Sequence, residues 1–443
     1  MRLTILGGGG FRVPLVYAAV ARAAGRVGVD EVVLQDVDAG RMAAIAEVLA
    51  DFRVTHPQAP PVATTTDVDE AISGAGVIFS AIRVGGTAGR VHDERVAIDL
   101  GLLGQETVGP GGLAFALRTV PVVQDLAARI AALAPQAWTI NFTNPAGVIT
   151  EAMSAHLGSR VFGICDTPIG LVRRVARAVG IDPAAAKVDY LGLNHLGWLR
   201  GIWANGTDLL PGLIQDPARL AELEEVRYLG TERVQAMGAI PNEYLYYYDR
   251  ARAGRLPRAG DQTRGEFLRD QQASFYAAAG TPGALLRWQQ HLQQREATYM
   301  AEAREGQRAA ADMHGGGYHE VAVDLMAALC NGSPAEMILN LPNAGTIAQL
   351  PADAVIEVPA HVDATGARPL VPQRPLTPEQ QELIGSVKAS ERELIAAAGA
   401  RSRSMAAAAF AAHPLVNSLD LGRQLVDGYI AVHPELQSLL TEP

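Results

Sequence analysis

The chain has 443 residues, 49% hydrophobic and 19% charged, with a formal net charge of -10 and two cysteines, Cys165 and Cys330. That length predicts two domains. The negative charge excludes nucleic acid as the main partner, because phosphate backbones need a basic surface, but leaves room for a phosphorylated small molecule in a local arginine pocket.

Two cysteines make no disulfide framework, which suits a reducing cytoplasm. The first apolar run, Leu3 to Leu6, is too short for a secretion signal. No stretch of about 20 uninterrupted apolar residues is present, so no membrane span and no membrane partner are expected.

In chain order, Leu3–Leu6 reads as a short buried strand and Gly7–Gly10 as a glycine loop. Val13–Ala24 reads as a helix with Pro14 in its first turn, where a missing N–H does no harm. Glu31–Asp36 is a second strand ending in an acid, and Arg41–Phe52 a second helix. Val77–Ala81, Trp138–Phe142 and Arg160–Cys165 are further apolar strands. Strands alternating with helices predict a doubly wound, Rossmann-like parallel sheet over residues 1–168. Residues 169–443 read as an α+β substrate and oligomerisation domain. It holds a helix over Thr167–Val179, one strand over Val188–Leu199 and mostly helix from Gln215 to Ala311. A late strand follows at Val355–Ala360, then helices over Glu379–Ala411 and Leu419–His433.

A strand, a glycine loop and a helix form the arrangement that seats a pyrophosphate on a helix N-terminus. Gly7 and Gly9 fit the first two positions of G-x-G-x-x-G, but the third falls on Arg12. Asp36, 27 residues after Gly9, stands near the offset of a carboxylate that binds the adenosine ribose and favours NAD over NADP. The candidate cofactor residues are therefore Gly7, Gly8, Gly9, Gly10, Phe11, Arg12 and Asp36.

Downstream stand Asn141-Phe142-Thr143-Asn144-Pro145, Gly163-Ile164-Cys165-Asp166 and Gly192-Leu193-Asn194-His195. Cys and His are both metal ligands, and such a pair leaves coordination positions for substrate and water. A lone buried Cys and a hydrogen-bonded structural His are the plainer alternatives. In Asn242-Glu243-Tyr244-Leu245-Tyr246-Tyr247-Tyr248 the tyrosines read as an aromatic wall, or one of them as a base if a cation lowers its pKa.

Together these pieces resemble the family 4 glycoside hydrolases, which depend on NAD and a divalent metal. Ile82-Arg83-Val84-Gly85-Gly86, Gly104-Gln105-Glu106-Thr107 and Asn340-Leu341-Pro342-Asn343-Ala344-Gly345 add to the likeness. Within the family the chain looks most like the 6-phospho-β-glucosidases.

The resemblance implies that NAD removes hydride from sugar C3, and that a metal, Mn²⁺ by family expectation, is held by Cys165 and His195. It implies Tyr244 as the base for the C2 proton and Asp166 as the acid at the leaving aglycone. Water then adds at C1 and the hydride returns. Asn144 and Asn194 become substrate or metal-shell contacts, and Arg83, Arg90 and Arg264 candidates for the 6-phosphate. A homodimer or homotetramer is implied as well. The sugar and its anomer stay open: an α-glucoside, a galactoside, a uronide or an unphosphorylated glycoside. So does a plain NAD-dependent hydroxy-acid dehydrogenase.

Overall fold

The computed structural model describes residues 1–249, 260–300, 308 and 317–441. Six parallel strands open the chain: β1 (Arg2–Leu6), β2 (Glu31–Gln35), β3 (Val62–Thr65), β4 (Val77–Ser80), β5 (Trp138–Asn141) and β6 (Val161–Gly163). They lie in the order β3-β2-β1-β4-β5-β6. β4 and β5 are buried at every position, as strands covered by helices on both faces must be. Helix Val13–Arg22 follows the glycine loop, with Pro14 in its first turn. Helix Ala39–Thr55 is capped by Asp38, whose side chain accepts from the Arg41 N–H.

The second half extends the same sheet. β7 (Lys187–Leu193) and β8 (Leu196–Ala204) form a hairpin. β9 (Thr207–Asp208), β10 (Ile240–Pro241), β11 (Ala335–Pro342), β12 (Val355–Asp363) and β13 (Gly366–Pro369) follow. β11 lies antiparallel beside β6, with Asn340 opposite Gly163, and β12, β7, β8 and β10 continue outward. The strand expected over Val188–Leu199 is thus two strands reversed at a two-residue turn, Asn194-His195, with Leu193 paired to Leu196.

Two cores flank the sheet. One gathers Leu3, Ile5, Phe79 and Ile140 with Leu193, Leu339 and Ile356. The other sets Leu6, Ile78, Leu113 and Leu117 against Leu394, Phe410, Leu425 and Tyr429 of the C-terminal helices Pro378–Ala400, Arg403–Ala412 and Leu419–Val432. Sheet and cores therefore both run across the boundary expected at residue 168. In the second core Arg118 binds Asp93 through two nitrogens, each at 2.6 Å, and His433 Nε2 lies 3.0 Å from the same carboxylate. Among the described residues no helix is long and apolar enough to cross a membrane.

Candidate active site

A cavity of about 440 Å³ opens at the carboxyl ends of β1, β4, β5 and β6, where open α/β sheets bind ligands. Its walls are Gly10–Val13 after β1, Ala81–Arg83 after β4, Phe142–Asn144 after β5 and Ile164–Asp166 after β6. The second half adds His195, Tyr244, Arg264, Arg295, Tyr299 and Tyr318.

The glycine loop is close-packed. Gly7 has φ +84, and a Cβ there would meet the Ala81 carbonyl oxygen at 2.6 Å. The Gly7 and Gly8 N–H groups both donate to the Gln35 carbonyl, and the Gly9 N–H donates to Asp36 Oδ2 at 2.8 Å. Gly7, Gly8, Gly9 and Asp36 thus shape the turn, whereas Gly10, Phe11 and Arg12 line the cavity. A glycine turn at a helix start, with a half-exposed carboxylate at the end of β2, fits a dinucleotide.

Residues of the second half cover this loop. Tyr276 donates to the Gly9 carbonyl and the Trp288 indole to the Phe11 carbonyl, both at 2.7 Å. The Phe11 ring meets Phe275 edge-on at 5.4 Å. Arg12 turns away from the loop: its guanidinium lies 3.3 Å from Asp166, 3.4 Å from Glu296 and over the Tyr318 ring.

Cys165 follows β6 and is 5% exposed; His195, on the hairpin turn with φ +62, is 4% exposed. The His195 ring stacks on Tyr244 with centroids 4.0 Å apart. Its Nδ1 is buried without a hydrogen-bond partner, and burial pushes the imidazole down to about 4, so it stays neutral with a lone pair to offer. Burial pushes the Cys165 thiol up, a cost that a bound divalent cation would offset. Asn144 Oδ1 is a further buried acceptor without a partner. These donors fit a divalent cation. Among the described residues no cluster of three or more His, Cys, Asp or Glu side chains forms a metal cage, so oxygen ligands must come from outside that set.

Asn194 is not among the residues lining the cavity. Its Oδ1 accepts the Ala146 N–H at 2.9 Å and its Nδ2 donates to Glu357 at 3.3 Å. The side chain anchors the turn that carries His195.

The arginines divide. Arg83 pairs with Glu106 at 2.8 Å, and Arg90 with Glu106 at 2.7 Å and Glu94 at 2.8 Å. Against burial, which would raise it, Arg83, Arg90 and, more weakly, Arg295 hold Glu106 down at about 2. Arg264 donates to Thr298 and to the Arg295 carbonyl. Arg295, which nothing in its Gln293-Gln294-Arg295-Glu296 context marks in the sequence, makes no ion pair among the described residues. Burial, then the charges of Arg12 and Arg264, push its guanidinium down to about 9. A guanidinium keeps its proton in a protein, so that pressure marks positive charge awaiting an anion. Glu106, from the Gly104-Gln105-Glu106-Thr107 motif, also lines the cavity, as do Tyr318 and Tyr299, and no sequence pattern marks Tyr299. Of the stretch 313–319, residues 313–316 lie outside the described residues.

The model of the family 4 glycosyl hydrolases matches residues 2–181, and that of the family's C-terminal domain residues 190–416. A probable 6-phospho-beta-glucosidase of Bacillus subtilis (strain 168) is 28% identical over 446 residues, spanning 98% of this chain and 96% of the relative. A 6-phospho-alpha-glucosidase 1 of Lacticaseibacillus paracasei is 28% identical over 429 residues, 91% of each chain. The solved structure of a 6-phospho-alpha-glucosidase from gut microorganisms in complex with NAD and Mn²⁺ superimposes with a TM-score of 0.81 at 26% identity, covering 98% of both chains. Matched in order by both models, and carrying the glycine loop, the Cys165–His195 pair and the tyrosine turn in one cavity, the chain belongs to the family 4 glycosyl hydrolases.

Proposed function

We propose that this chain hydrolyses 6-phosphoglucosides, with the β anomer as first assignment, using NAD and a divalent cation, Mn²⁺ first. The observation that carries the phosphate is Arg295: a partly buried guanidinium crowded by Arg12, Arg264 and Arg90, beside a cavity of sugar size. A phosphate dianion meets that charge bidentately, at roughly twice the strength of a neutral hydrogen bond. Arg83 and Arg90, matched by Glu106 and Glu94, shape this wall, while Arg264 and Arg295 face the anion.

The glycine loop and Asp36 would hold NAD, which would supply a hydride acceptor and donor for the sugar. Cys165 and His195 would hold the divalent cation, with Asn144 as a further oxygen donor, and the cation would supply Lewis acidity toward a sugar hydroxyl or carbonyl. The chain's own groups do the rest. Tyr244, packed flat on His195, takes the proton from C2. Asp166, between Arg12 and Cys165, serves the leaving aglycone oxygen. Departure by elimination from a C2 carbanion needs no pair of carboxylates flanking C1, unlike the displacement used by most glycosidases. It also tolerates either anomer, in keeping with relatives named for both.

The test is release of p-nitrophenol from the α- and β-glucoside 6-phosphates and from the unphosphorylated glucosides, each with and without NAD and Mn²⁺. Cleavage of a phosphorylated compound alone, dependent on both additions, is the expected result, and the faster anomer sets the assignment. Cleavage of unphosphorylated glucosides at equal rates would remove the phosphate. Accumulating NADH without p-nitrophenol would favour the dehydrogenase.

A further inference from the structure

One row of paired residues crosses the sheet through β6, β11, β12, β7 and β8: Gly163, Asn340, Glu357, Gly192 and Gly197. Paired positions set their side chains on one face of a sheet. A Cβ on Gly163 would meet Asn340 Cβ at 2.8 Å, and one on Gly197 would overlap the Tyr190 hydroxyl. The bare ends of the row thus make room for the polar side chains at its middle. Glu357 is fully buried there. Its Oε1 accepts from Asn340 Nδ2 at 3.0 Å and from Asn194 Nδ2 at 3.3 Å, and its Oε2 pairs with the Tyr190 hydroxyl at 2.9 Å. Asn194 Oδ1 accepts the Ala146 N–H at 2.9 Å, which fixes that amide with its Nδ2 toward Glu357.

These partners lead to the three turns that carry the candidate cation donors. Asn194 precedes His195, and Ala146 stands two residues after Asn144. Asn340 packs on Gly163, two residues before Cys165. We propose that Glu357 is the positioning residue of the cation site: through Asn194 and Asn340 one buried carboxyl holds the turns of Asn144, Cys165 and His195 in place for a divalent cation. The inference rests on the reading that Cys165 and His195 hold that cation. Glu357 is not among the residues lining the cavity, so it acts through the asparagines. His195 has most need of such support. It sits at φ +62, an uncommon conformation for a residue with a side chain, which persists only where the surroundings fix it. Outer hydrogen bonds of this kind orient ligands and set metal affinity. Burial raises the Glu357 carboxyl to about 7, and the arrangement holds in either form. Oε1 accepts from both asparagines throughout, while Oε2 accepts from Tyr190 or, protonated, donates to it. Glu357 therefore supplies geometry, not charge.

The experiment titrates Mn²⁺ into the NAD-loaded full chain and reads the free ion by EPR, with NAD affinity and melting temperature measured beside it. Glu357→Leu removes both oxygens and is expected to weaken Mn²⁺ binding roughly 10- to 100-fold while NAD affinity holds. Glu357→Gln keeps Oε1 for the asparagines and turns an N–H to the Tyr190 oxygen, and is expected to bind Mn²⁺ as the wild type does. A role confined to stability would lower the melting temperature without this split between Mn²⁺ and NAD or the rescue by Gln. Should Glu357→Leu fail to fold, Asn194→Leu decides. It cuts the link to the His195 and Asn144 turns, leaves Glu357 two donors, and is expected to show the same loss. Wild-type Mn²⁺ affinity in the deciding variant overturns the positioning role, as does an equal fall in NAD affinity. An equal loss in Glu357→Gln also overturns it, by making charge the cause. Cys165→Ser separates the two readings: unchanged Mn²⁺ affinity there overturns the cation site itself, whereas a loss there with none in Glu357→Leu removes only the role of Glu357.

Discussion

Arg118 and Arg295 are both withdrawn from solvent, and their surroundings are opposite. Arg118 has the two oxygens of Asp93, the Val84 carbonyl and the face of Phe115. Arg295 has Arg12, Arg264 and Arg90 around it, and the nearby carboxylates of Glu296 and Glu106 are ion-paired to other arginines. In the first region every desolvated charge is matched inside the chain, so the pair joins elements of the fold. In the second the match is left for a ligand. Buried charge marks architecture where it is compensated and function where it is not.

The largest expected effect breaks the compensated side. Arg118→Met leaves Asp93 buried without its cation, and unfolding in urea should show a loss of roughly 3–5 kcal/mol. Arg295→Met should do the reverse. The melting temperature should hold or rise, because a repulsive cluster loses one charge. KM for a glucoside 6-phosphate should rise roughly 10- to 100-fold, the worth of a hydrogen bond to a charged group at about 1.5–3 kcal/mol. An unchanged KM would move the phosphate elsewhere in the cavity.

The same division explains what is legible in the sequence. The parallel strands stand out as apolar runs because both their faces are buried, and the glycine loop because bare backbone before a helix has few other uses. Cys165, His195 and Tyr244 are legible through motifs, and the structure brings them to one cavity. The hairpin at Asn194-His195 is hidden, since Leu193 and Leu196 continue the apolar pattern across it and a non-glycine residue takes the left-handed position. Arg295 is hidden because a helix reading Gln-Gln-Arg-Glu looks solvated. Which face meets a cavity depends on contacts over 200 residues away. β11 is hidden for a related reason: Asn340 and Pro342 interrupt the apolar run of a strand that docks beside β6.

The smallest effect sharpens the comparison on histidines. His195 has a buried Nδ1 with no partner, whereas His413 Nδ1 accepts the Leu415 N–H at 3.2 Å and the ring is 2% exposed. Burial pushes His413 down to about 3. The unfolded chain takes up its proton below about 6.5 and the folded one does not, so the unfolded state binds more protons in that window and stability falls as pH falls, by at most about 1.4 kcal/mol per pH unit. Glu243 and Glu357, raised by burial to about 8 and 7, act with the opposite sign over part of the range. The wild-type slope is therefore a sum, and the difference between two chains isolates His413. His413→Asn keeps an acceptor for the Leu415 N–H and cannot take a proton. Denaturant unfolding from pH 7 to pH 5 should show the variant less stable at pH 7, by a gap that narrows toward pH 5. A constant gap would mean that His413 titrates alike in both states, and that burial there does not hold the imidazole neutral.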